Sequence, residues 1–168
     1  MKKSTKKLAF LSICTSLALV FAYVEAILPP VYASVPGIKL GLPNIVIIFV
    51  LYRFGFFHAA CVSLVRICLV SLLFGNPVTL AYSAAGGALS LLCMALLRRT
   101  NFLSEIGVSV AGGVLHNVGQ VLVAMLLLGT AELGYYLAVL AVSGTAAGVC
   151  VGICGALAVR RIPHTFYK

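Results

Sequence analysis

Residues 106–128 read IGVSVAGGVLHNVGQVLVAMLLL, 23 positions without a single Asp, Glu, Lys or Arg. As a helix rising 1.5 Å per residue this stretch is about 34 Å long, enough to cross the roughly 30 Å hydrocarbon core of a bilayer. A helix in water needs a polar face, and here apolar residues run all the way round. Working outward, similar stretches cover 8–28, 39–54, 58–75, 78–97 and 133–159. Pro29-Pro30, Pro36-Gly37, Gly75-Asn76-Pro77, Arg98-Arg99 and Gly129 with Glu132-Leu133-Gly134 punctuate them. Over the whole chain 62% of residues are hydrophobic and 9% charged, which leaves no segment for a soluble domain. The reading is all-α: a single integral membrane domain over 1–168, a polytopic bundle of six transmembrane helices.

The net charge of +9 is explained by topology. With six spans both termini share a side, and Lys2, Lys3, Lys6, Lys7, Arg53, Arg98, Arg99, Arg160, Arg161 and Lys168 all fall on it. Lys39 falls opposite, and Arg66 lies within a span. This positive-inside asymmetry puts both termini in the cytoplasm of a protein in the cell membrane, so the basic balance does not imply nucleic acid as a partner. The basic start followed by an apolar run is too long for a signal peptide, and we keep the first helix in the mature protein. The six cysteines (Cys14, Cys61, Cys68, Cys93, Cys150, Cys154) form neither a CxxC pair nor a zinc-type spacing with histidine.

Ionisable side chains are expensive in hydrocarbon, so each one is a candidate for function. Glu25 lies near the outer end of helix 1, Lys39 and Asn44 at the outer start of helix 2, Arg66 within helix 3 and His116 within helix 5. Asn117 and Gln120 are polar neighbours of His116, and Gly112, His116 and Gln120 recur every four residues on one helix face. Taken singly, each has a structural alternative: Glu25 pairing with Arg66 or Lys39, and His116 with Gln120 bonding neighbouring helices. Taken together, they form an outward-facing polar site whose positive members outnumber Glu25, which favours a small solute bearing an anionic group. Ala18, Ala22 and Ala26, and likewise Gly144, Gly148 and Gly152, recur every four residues; such faces serve internal packing or the docking of another membrane subunit.

Several chemistries are excluded. The chain has no Asp and only Glu25, Glu105 and Glu132, so it lacks paired aspartates to hold magnesium against a diphosphate. It has no phosphate-binding P-loop and no nucleophile–base–orienter arrangement. We therefore expect no enzyme, no metal and no cofactor.

Gly37-Ile38-Lys39-Leu40-Gly41-Leu42-Pro43-Asn44-Ile45, Arg66 with Ser71-Leu72-Leu73-Phe74-Gly75, and His116-Asn117-Val118-Gly119-Gln120 resemble the signature blocks of the Gx transporter family. Its members are often labelled heptaprenyl diphosphate synthase component I. The resemblance covers roughly residues 8–160; Pro43 departs from the small residue expected there. That family is similar to the S components of energy-coupling factor (ECF) transporters, six-helix membrane proteins that bind a vitamin-like solute from outside. They work with a transmembrane T subunit and cytoplasmic ATPases. The resemblance implies an S-component-like fold and docking of the T subunit on Ala18 and Ala22, while the cost of polar groups within spans places substrate binding on Glu25, Lys39, Asn44, Arg66, His116, Asn117 and Gln120. It also implies that segment 29–43 closes over substrate. Two alternatives stand beside transport: a non-catalytic membrane subunit associated with prenyl diphosphate synthesis, and an accessory to flavin-based extracellular electron transfer.

Overall fold

A computed structural model describes residues 3–27 and 40–163. Six α-helices follow one another: α1 (Lys3–Ile27), α2 (Pro43–Phe54), α3 (Phe56–Phe74), α4 (Pro77–Thr100), α5 (Glu105–Leu128) and α6 (Tyr136–Arg161), with one 3-10 turn (Glu132–Tyr135) leading into α6. Segment 28–39, with Lys39 and most of the expected closing loop, lies outside the described residues. Five of the six helices are long and apolar enough to cross a bilayer. The chain is an all-α, largely membrane-spanning bundle and a multi-pass membrane protein.

The boundaries follow from local chemistry. Asn76 opens α4 with a capping box: its side chain accepts from the Thr79 amide at 2.8 Å, and its own amide donates to Thr79 Oγ1 at 2.8 Å. Pro77 fills the first position of that helix, where the missing N–H costs nothing. Ser104 caps α5 by accepting from Gly107 N at 3.3 Å. Between α2 and α3 a single residue makes the corner; it is Gly55, at φ +90°, a conformation open to glycine alone at low cost.

The second helix departs from the expected 39–54 span. It begins at Pro43 and runs 12 residues, about 18 Å at 1.5 Å per residue and short of the hydrocarbon thickness. It is also the most enclosed element, with Val46, Ile47, Ile48, Phe49, Val50 and Leu51 all buried. A helix apolar on every side belongs in an interior, and this one packs on α1, α3 and α6. The contacts close a ring in the order α1, α3, α4, α5, α6, α2. Outward-facing apolar side chains such as Leu72 (82% exposed) and Leu126 (81%) form the surface that meets lipid.

Two small-residue stripes have different fates. Those on α5 and α6 are buried against each other. A Cβ on Gly148 would stand 2.6 Å from Val110 Cα, and one on Gly113 would stand 2.5 Å from Gly144 O. The Gly144/Gly148/Gly152 face is thus an internal packing surface. Ala18 and Ala22, expected on a docking face, are 0% and 8% exposed. Ala18 sits in the core cluster with Cys14, Phe49 and Val50. Ala22 lines the central cavity described below.

Basic residues gather at one end of the ring, where helix C-termini expose carbonyls. Arg98 donates to Leu51 O and, at 3.1 Å, to Tyr52 O, with its guanidinium 5.2 Å from the Tyr52 ring centre. Arg53 donates to Val159 O and, at 2.9 Å, to Ile162 O. Arg160 faces Glu105 at 3.6 Å, the one ion pair among the described residues.

Candidate functional site

The opposite end of the bundle holds a central cavity of about 190 Å³ with walls from all six helices. Of the residues expected at a site, Glu25, Asn44, Arg66, His116, Asn117 and Gln120 line it. Lys39 lies outside the described residues.

Each side chain is held differently. Glu25, near the end of α1, accepts a hydrogen bond from Gly41 N at 2.6 Å and so ties α1 to the entry of α2. Gly41 holds φ +71°, and Asn44 Nδ2 lies against it. Gln120 and His116 meet through Nε2 atoms at 3.2 Å, one turn apart on α5. Asn117 donates to Leu140 O at 2.6 Å, bracing α5 on α6. One of its two amide N–H groups therefore has a packing duty.

Arg66 is the exception. Its Nε is buried without a partner, and it makes no hydrogen bond or ion pair with any described residue. Glu25 lines the same cavity but does not come within ion-pair distance of it. A guanidinium carries five N–H donors in a fixed fork that suits carboxylate or phosphate oxygens. A buried cation without a contacting counter-ion is unfavourable even with Glu25 on the same cavity, and an anion entering that cavity would relieve the cost.

Reading the sequence alone missed the hydroxyls of the cavity. Ser90 and Ser109 are buried (3% and 4% exposed) and line it, as do Ser71, Thr79 and Ser83. A signal was present: Thr79, Ser83, Gly86 and Ser90 share one face of α4 by their three- and four-residue steps. Gly86 and Gly119 let α4 and α5 approach closely there, since a Cβ on Gly119 would stand 2.8 Å from Gly86 Cα. Among the described residues no group of three His, Cys, Asp or Glu could hold a metal ion.

A protein-family model described as heptaprenyl diphosphate synthase component I matches residues 14–158. No curated protein matches the chain. No solved structure matches it either.

Proposed function

The chain belongs to the heptaprenyl diphosphate synthase component I family, and from that premise we propose that it is a non-catalytic membrane subunit whose central cavity holds a small organic anion. The observation that carries this is Arg66, a cation inside a span that lines the cavity and makes no hydrogen bond or ion pair among the described residues. Asn44, Gln120 and the cavity hydroxyls supply hydrogen bonds that orient a ligand, and they offer neither a nucleophile with its base nor paired carboxylates.

The family's description favours a setting in prenyl diphosphate synthesis, with catalysis on a separate, Asp-rich subunit. The second reading is an S-component-like transporter subunit energised by a T-type membrane subunit and ATPases. It is favoured by the cavity's place at the end opposite the basic residues, which is the outer end when both termini are cytoplasmic. The two readings share the ligand site and differ in partner.

Native mass spectrometry of gently purified wild-type protein and Arg66→Gln tests the shared part. A small anion bound to the wild type and absent from the variant is expected; identical spectra, with no small molecule on either, would reject the reading. Affinity purification from membranes then separates the two settings, by recovery of an Asp-rich synthase subunit or of a T-type subunit with ATPases.

A further inference from the structure

A second cavity, of about 440 Å³, adjoins the first between α4, α5 and α6, and Thr79, Ser83 and Gln120 belong to the walls of both. Beyond those shared residues the walls turn aliphatic, with Val121, Ala124, Leu128, Leu133 and Leu140, and Tyr82 and Tyr136 complete the wall. The change of character runs along one stripe of α5. His116, Gln120, Ala124 and Leu128 follow at four-residue steps, so a ligand lying along that face meets polar groups first and hydrocarbon afterwards. Its volume lies within the roughly 300–1,000 Å³ typical of small-molecule sites.

We propose that the two cavities form one site for an anionic amphiphile, with its phosphate or carboxylate head at Arg66 and its hydrocarbon tail in the cavity of Val121, Ala124 and Leu133. The inference rests on the anion-binding reading above and names the ligand's class. Two physical requirements meet here. The guanidinium at Arg66 needs an anion with several acceptor oxygens. The aliphatic compartment offers water few hydrogen-bond partners, so a tail gains by filling it. A compact hydrophilic anion would satisfy the first cavity and leave the second empty.

The test is a tail-length series of ethyl, octyl and dodecyl phosphate titrated onto the full chain in nanodiscs. The wild type is compared with Ala124→Trp and Leu133→Trp, which fill the second cavity from α5 and from the turn before α6, and with Arg66→Gln. Identical nanodiscs cancel partitioning of the tail into lipid. Wild-type affinity should climb with tail length, by up to roughly fourfold per fully buried methylene. Either Trp variant should flatten that climb while holding ethyl phosphate within twofold of wild type, and Arg66→Gln should weaken every member. If both Trp variants are folded and keep the wild-type climb, the tail lies in bilayer lipid and this inference fails. Arg66-dependent binding of ethyl phosphate would then still uphold the anion site. If no phosphate binds in an Arg66-dependent way, the anion site fails and this inference fails with it.

Discussion

The two ends of the bundle use the same side chain for opposite purposes. At the basic end Arg53 and Arg98 donate to main-chain carbonyls left open where α2 and α6 finish. Their charge complements the negative ends of the helix dipoles, and their forks pin three helices together. Inside the cavity Arg66 bonds no such carbonyl and no carboxylate among the described residues. One set of arginines is engaged in holding the fold, and the other is held ready by the fold. The lesson is that an arginine's role here is set by whether a helix terminus lies within its reach.

The sharpest way to break this contrast is to remove each charge in turn. Arg66→Gln should cost binding of an anionic ligand about 2–5 kcal/mol, as expected when one member of a buried charge pair is truncated. Its unfolding midpoint in detergent should hold or rise, because an uncompensated buried charge is gone. Isothermal titration with a thermal melt on the same sample checks both; a large fall in the melt with unchanged binding would make Arg66 structural.

Arg98→Met should do the reverse. Hydrogen bonds from a charged donor are worth about 1.5–3 kcal/mol each, so the loss should appear as destabilisation in chemical unfolding, with binding per folded molecule unchanged.

The α5–α6 seam extends the comparison to packing. Gly148→Ala would place a Cβ 2.6 Å from the Val110 backbone, and overpacking of this kind costs about 1–3 kcal/mol. Gly144 and Gly152 variants should behave alike, whereas Ala26→Gly on the exposed end of α1 should not share the effect.

The smallest expected effect is at the cavity mouth. Gly41→Ala at φ +71° should cost roughly 1–2 kcal/mol. It would also disturb the Gly41–Glu25 hydrogen bond, so ligand release should quicken more than the melt falls. Stopped-flow release measured beside a melt separates the two.

Some of this could be read directly from residue order. Membrane insertion and the helical state follow from composition along the chain. Every backbone N–H and C=O in hydrocarbon must be satisfied internally, and runs such as 106–128 are uncharged for longer than a bilayer is thick. The turns at Asn76-Pro77 and Gly129 and the gathering of basic residues on alternate connections are likewise local or one-dimensional. Polar residues within spans, Arg66 and His116 foremost, stand out because an apolar background makes them costly.

Other features depend on which helix lies beside which. Residues 43–54 are as apolar as any span. Only their enclosure by α1, α3 and α6 makes them a short interior helix. Ala18 and Gly148 occupy equivalent small-residue stripes, and the sequence holds nothing to say that both stripes face inward. Glu25 and Arg66 are opposite charges at compatible depths, yet the carboxylate bonds the turn at Gly41 and forms no ion pair with the guanidinium. Hydrophobic periodicity sums over one helix at a time, whereas a partner, a cavity wall or an unsatisfied donor is a relation between helices. Those relations exist only once the ring has closed.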